Sequence, residues 1–324
     1  MSLTIFNRYF IPMLSIASIV LVSLPQVNAT RKEARAILPN QVGAIAKQTV
    51  VKIESSDGNF GSGVIIGRTE RGTKNVYTVL TVAHVVNCPS CKYQVLTPVP
   101  IDNLGEKKRI TIDLDLQNHF QKLPNVDLAT VSFETDRTFA VGTLGNSEYA
   151  DEGIPIYVAG YPKPGQALKR GAMQFTGGMI SSRIEAEDRD PNNRNNGYEI
   201  AYTNITRAGM SGGPVYDAAG RIIAIHGQGD RNAQDVESGV KDGIINDEKT
   251  GFNLGIPMQT FLTLQPQSIT IFGAKIDDSP IDYQLSDLSQ TIGTPNRKFI
   301  ERSRTRGRVA PLLDVTKLNI QFED

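Results

Sequence analysis

From Thr49 onward the chain alternates short apolar runs with turn residues. Thr49-Val50-Val51-Lys52-Ile53, Gly63-Val64-Ile65-Ile66, Val76-Tyr77-Thr78-Val79-Leu80 and Ile110-Thr111-Ile112-Asp113-Leu114 are rich in β-branched and aromatic residues. Leu128–Phe133, Ile154–Ala159 and Ile222–Ile225 continue the series. Runs of this length, with few helix-length periodic segments between them, predict short strands in an antiparallel barrel or sandwich. One short terminal helix is predicted over Pro257–Leu264, because proline is tolerated in a first turn and Phe261, Leu262 and Leu264 form a partial apolar face. The segment Glu185–Gly197 is too polar to bury and reads as a loop, and the chain after about Gln265 reads as a tail or linker. No internal repeat is present.

At the N-terminus, Arg8 precedes an apolar run from Phe10 to Val22, and Val27-Asn28-Ala29 offers small residues at cleavage-site spacing. This three-part pattern predicts a secretory signal peptide over 1–29. Its apolar run is too short to span a bilayer comfortably, although a retained anchor extending to Leu24 is the competing reading. The expectation is an exported protein, periplasmic or extracellular, with no stable membrane span after signal removal. The 324 residues carry 34 Lys plus Arg against 34 Asp plus Glu, a net charge of zero. That balance argues against a nucleic-acid partner held by phosphate neutralisation. The clearest basic cluster lies in the tail, where Arg297, Lys298, Arg302, Arg304, Arg306 and Arg308 face one acid, Glu301. A solvated tail is favoured there over contact with an anionic envelope or a partner.

The two cysteines, Cys88 and Cys91, enclose Pro89-Ser90. No second pair offers a zinc site and no βαβ pattern supports a redox motif, so a local loop disulfide is favoured, with free thiols as the alternative. No metal and no cofactor are predicted.

Three motifs carry chemistry. Thr81-Val82-Ala83-His84 follows a strand, Asn125-Val126-Asp127-Leu128-Ala129 sets one acid at the mouth of another, and Gly209-Met210-Ser211-Gly212-Gly213-Pro214 is a glycine-dense turn around a serine. A serine hydroxyl is a poor nucleophile until an imidazole takes its proton, and the imidazole needs a carboxylate to fix its tautomer and stabilise its charge. Glycine lets such a turn aim the N–H groups of Gly209 and Ser211 at a developing oxyanion. Taken singly, each residue has a plainer reading as a packed histidine or as turn chemistry; together and in this order they point to catalysis. The Gly-x-Ser-x-Gly spacing also fits an α/β-hydrolase elbow, but that fold places its acid and histidine after the serine. His119 has no evident partners in the sequence and reads as structural or solvent-facing.

These motifs, with His226-Gly227 after Ile222–Ile225 and Gly251-Phe252-Asn253-Leu254-Gly255-Ile256-Pro257, resemble the trypsin-like (chymotrypsin-fold) serine peptidases, specifically bacterial exported members. The resemblance covers roughly residues 43–264. It implies an all-β fold of two antiparallel six-stranded β-barrels with the active site in the cleft between them. The corresponding organisation is an N-terminal barrel with leader over 30–136, a C-terminal barrel over 137–264 and a tail over 265–324. It further implies a serine endopeptidase acting on protein or peptide through an acyl-enzyme. His84 would be base then acid, Asp127 its orienter, Ser211 the nucleophile, and Gly209 and Ser211 the oxyanion donors.

Met210 stands where zymogen-activated relatives carry an acid, and no Ile-Val-Gly-Gly sequence occurs, so activation by a freed N-terminus is not expected. No PDZ-like Gly-Leu-Gly-Phe stretch follows the catalytic motifs. The family's substrate pocket maps onto Ile205, Thr206, His226 and Gly227. Ile205 occupies the position of trypsin's acid, removing the counter-charge for Lys or Arg. Thr206 and His226 stand where glutamyl endopeptidases carry a hydroxyl and an imidazole, which implies a preference for Glu or Asp before the scissile bond, against a histidine that merely completes a strand. The alternative function is a catalytically weak protease-fold binding or scaffold protein of the cell envelope. Oligomeric state is not assigned.

Overall fold

The computed structural model describes residues 33–105, 107–114, 120–165, 172–184, 196–231, 249–264 and 273–283. The predicted signal, His119, nearly all of the polar loop 185–197 and the basic stretch 297–308 lie outside the described residues. A two-residue strand β1 (Ala34–Arg35) leads into helix α1 (Pro39–Thr49), which the strand-rich pattern does not predict. Pro39 opens its first turn, the Gln41 carboxamide oxygen accepts the Leu38 N–H at 2.9 Å, and Val42 and Ala46, one turn apart, are fully buried. So few apolar positions give the sequence little helical period to read.

Seven antiparallel strands follow: β2 (Val50–Ser55), β3 (Phe60–Arg71), β4 (Lys74–Thr81), β5 (Tyr93–Leu96), β6 (Thr111–Leu114), β7 (Phe120–Lys122) and β8 (Ala129–Thr135). Their order in the sheet is β6-β5-β2-β3-β4-β8-β7. The inward row of β4 and β8 packs Tyr77 against Phe133, with ring centres 5.3 Å apart. Val51, Ile53, Val79, Val95 and Val131 complete this core.

The second half holds β9 (Thr143–Gly145), β10 (Pro155–Gly160), β11 (Gln174–Arg183), β12 (Ile200–Tyr202), β13 (Pro214–Tyr216), β14 (Ile222–Arg231) and β15 (Lys249–Pro257). The predicted short helix is α2 (Met258–Leu264), whose Met258 and Phe261 are buried. Six strands close on themselves in the order β13-β10-β11-β12-β15-β14, because β13 also pairs with β14. The expected two-barrel architecture is therefore present, with seven strands rather than six in the first sheet and one difference in closure. The second barrel closes through hydrogen bonds, whereas the first is a half-barrel whose end strands β6 and β7 are not paired with each other among the described residues. A further apolar cluster, including Val64, Leu80, Leu128, Ala159, Tyr161, Tyr198, Ile225 and Ile256, joins the two halves and sets the cleft between them. Among the described residues no helix is long and apolar enough to cross a membrane.

Residues 273–283 correct the reading of the whole segment after Gln265 as linker. Gly273, at φ 73°, passes so close to Arg68 that a Cβ would overlap the Arg68 carbonyl. Strand β16 (Lys275–Asp277) then pairs in parallel with β9, and β17 (Ile281–Asp282) pairs in parallel with β1. Arg221, buried on β14's approach, fastens this strap: its Nε donates to Asp217 Oδ2 at 2.8 Å and its Nη1 to the Ser279 carbonyl at 2.6 Å. Strands of two or three residues whose partners lie far away in sequence leave no periodic signal. Arg221→Ala strands the buried Asp217 carboxylate and is expected to cost about 3 kcal/mol of stability, read as a lowered urea midpoint. The exposed Lys275→Ala serves as the control, and an Arg221→Ala midpoint equal to that control contradicts the strap's role.

Candidate active site

Strand β4 ends at Thr81, whose hydroxyl donates to the Ser62 carbonyl at 2.7 Å. The chain then turns through a 3₁₀ segment, Ala83–Val86, that carries His84 to the rim of the cleft. Asp127 meets this turn from the approach to β8. Its carbonyl accepts the Ala83 N–H at 3.1 Å, its Oδ1 accepts the His84 N–H at 2.9 Å, and its Oδ2 lies 2.6 Å from His84 Nδ1. Against a carboxylate, Nδ1 carries the proton, leaving Nε2 of the neutral ring as acceptor. The left-handed conformation of Asn125, φ 60°, turns the chain into this approach, and the Asp127 N–H is held by the Asn196 carbonyl at 2.8 Å.

A fifth hydrogen bond, like that of Asn196 from the other barrel, reaches Asp127: the Tyr198 hydroxyl donates to Oδ2 at 2.6 Å. Burial works against ionisation of Asp127, but the hydrogen bonds from His84 and Tyr198 outweigh it and hold the carboxyl below the ordinary value of 3.8. Burial, reinforced by the neighbouring Asp127 charge, pushes the Tyr198 phenol far above its usual range, so it remains a donor. Sequence reasoning missed Tyr198, which sits in a polar stretch without a motif. Gly227 makes room for it: a Cβ there would fall on the Tyr198 hydroxyl and ring, so glycine is required for that approach.

Ser211 occupies a tight turn in which Gly209 and Gly212 adopt φ 94° and 87°. Any side chain at Gly212 would overlap Ser62 O and Thr81 Oγ1. The turn's carbonyls are held from neighbouring strands, with the Ser62 N–H donating to Ser211 O at 2.7 Å and Ser62 Oγ to Gly209 O at 2.9 Å. Met210 points into the barrel core. The N–H groups of Gly209 and Ser211 consequently have no protein acceptor among the described residues. Ser211 Oγ donates to the Gly227 carbonyl at 2.9 Å, and no hydrogen bond joins it to His84 among the described residues.

A cavity of about 670 Å³ has His84, Ser211, Gly209, Thr206, His226 and Gly227 on its wall. Thr206 and His226 are buried; the Thr206 hydroxyl donates to Asn253 Oδ1, and His226 Nδ1 lies 2.7 Å from the Tyr202 hydroxyl. Ile205, expected in the pocket, is 75% exposed and lies outside the lining. Its neighbours Asn204 and Thr206 both turn inward, and in extended chain the residue between them faces out. Cys88 and Cys91 are disulfide-bonded beside this cavity, with Cα atoms 5.4 Å apart. The bond removes the two thiolates that a metal ion near Asp57 would need.

The family model for the trypsin-like peptidase domain matches residues 61–225. Among solved structures, the chain is similar to the crystal structure of Deg5, with a TM-score of 0.49, 19% identity, and coverage of 69% of this chain and 91% of that one. It is also similar to the HtrA-type protease AlgW with tripeptide, with a TM-score of 0.49 and 19% identity, covering 70% of this chain and 62% of that one. No curated protein sequence matches. The family match spans half of the sequence and contains the motifs around His84, Asp127 and Ser211: the chain belongs to the trypsin-like peptidase domain family.

Proposed function

We propose that the chain is an exported serine endopeptidase whose catalytic residues are His84, Asp127 and Ser211. The observation that carries this reading is the double hydrogen bond from His84 to Asp127, on the same cavity wall as Ser211 and two acceptor-free N–H groups. The two barrels, over 30–136 and 137–264, supply the two sides of the cleft. The signal-like pattern of residues 1–29 supports export to a periplasmic or extracellular compartment.

In this reading, rotation about the Ser211 Cα–Cβ bond moves the hydroxyl from the Gly227 carbonyl to His84 Nε2. Oγ attacks the scissile carbonyl carbon, its proton passes to Nε2, and the carbonyl electron pair becomes an oxyanion facing the Gly209 and Ser211 N–H groups. The C–N bond then breaks, the leaving amine takes the proton from Nε2, and an acyl-enzyme remains. Water, deprotonated by the same nitrogen, releases the acid product and returns Oγ–H. Asp127 stays ionised throughout, because its carboxyl lies below the ordinary value and the imidazolium beside it favours the charge further.

Ser211's bond to Gly227 rather than to His84 favours one competing reading, a protease fold kept for binding. A serine-directed fluorophosphonate separates the two. Catalysis predicts one adduct on the native protein and none on Ser211→Ala, seen by intact mass. Absence of the adduct from both proteins favours the binding module.

Buried Thr206 and His226 on the cavity wall support Glu or Asp as the residue before the scissile bond. A peptide series differing only there, with Glu, Phe, Lys and Ala, is expected to give its highest kcat/KM for Glu. A highest value for Phe, Lys or Ala contradicts that preference.

A further inference from the structure

The catalytic cavity also holds two cations for which the proposed mechanism has no use. Lys163 and Arg207 line it, as Thr206 and His226 do. Neither side chain has an acidic or hydrogen-bonding partner among the described residues. The cavity wall carries a single carboxylate among these residues, Asp57, which is engaged by the Asn59 N–H and side-chain amide at 3.0 Å each.

Both cations are fixed to the segment that presents Ser211. The Lys163 N–H donates to the Ala208 carbonyl at 2.7 Å, and the Arg207 carbonyl accepts the Met210 N–H at 3.0 Å. The Arg207 guanidinium lies over Gly165, where a Cβ would come within 3.2 Å of its Cζ. Gly165 thus leaves the space in which the half-buried Arg207 rests.

The neutral groups around them are poor at binding a carboxylate by themselves. The Thr206 hydroxyl proton is directed at Asn253 Oδ1, whose own amide donates to the Asn204 carbonyl. His226 Nδ1 is engaged by Tyr202. A carboxylate brought here gives up water, and with the Thr206 hydroxyl committed and at most one ring N–H of His226 left to donate it needs a cation to compensate.

We propose that Arg207, assisted by Lys163, is the specificity-determining cation that binds an acidic side chain of the substrate, while Thr206 and His226 shape the floor beneath it. This rests on the proposed preference for Glu or Asp and changes its physical basis from neutral hydrogen bonding to charge. It follows that charge rather than size is selected, that Lys at this position is rejected by repulsion, and that added salt weakens the selection.

The test compares kcat/KM for two peptides that differ only in Glu or Gln before the scissile bond, using the full chain. The native protein is expected to favour Glu by about tenfold or more, the scale of one charge-assisted hydrogen bond. Arg207→Gln is expected to bring the ratio near one, and Lys163→Gln to lower it less. A full ratio retained in Arg207→Gln overturns the inference while leaving the acid preference standing. A native ratio near one overturns both. Circular dichroism checks that each variant folds. If Arg207→Gln does not, the native protein supplies the reading instead, because its Glu-to-Gln ratio must fall between low and high salt, and a salt-independent ratio overturns the inference.

Discussion

A single carboxylate organises the cleft. Asp127 accepts hydrogen bonds from the His84 backbone, the His84 ring and the Tyr198 hydroxyl, while its own backbone carbonyl holds Ala83. Two of these partners belong to the 3₁₀ turn after β4, and the third comes from the strand approach of the opposite barrel. An ion taken out of water is tolerated only when such donors surround it. The requirement therefore reaches outward: His84 is held in one tautomer, Tyr198 is pinned between the halves, and position 227 must be glycine to admit the tyrosine ring. The cleft is as much a consequence of satisfying Asp127 as of packing the two cores.

The serine turn is constrained from its other side. Ser62 Oγ bridges Gly209 O and the Tyr161 N–H, and the Ser62 backbone binds Ser211 O and receives the Thr81 hydroxyl. These contacts occupy carbonyls on the inner side of the turn. Glycines at 209 and 212 then accept the positive φ values that aim N–H groups outward. With Met210 anchored in the core, the turn is held before any substrate arrives, the condition under which fixed dipoles stabilise a developing charge. The unpaired cations Lys163 and Arg207 on the same wall give the cavity a positive bias that formal neutrality of the whole chain conceals.

Much of this was legible in the sequence, for local reasons. The strands β2, β3, β4, β8, β10 and β14 carry dense β-branched and aromatic runs, and the short motifs at His84, Asp127 and Ser211 keep their chemistry within a few residues. What was missed depends on distant partners. Helix α1 buries only a narrow stripe, Tyr198 matters because of Asp127, Ser62 because of Gly209, and the strap over 273–283 because of Arg221 and β9. Ile205 was misplaced because linear spacing from the serine gives the position of a backbone but not the face its side chain takes. Closure of the first barrel likewise depends on whether β6 and β7 meet, which no pattern within either strand encodes.

In the proposed mechanism His84, Asp127 and Ser211 act as one unit rather than as three independent contributors. Steady-state kcat for the single variants His84→Ala, Asp127→Asn and Ser211→Ala, set against the variant combining all three, distinguishes these cases. A cooperating unit predicts that the combined variant is no slower than Ser211→Ala alone, with each single change removing most of the activity. Losses that instead multiply across the three positions contradict the account.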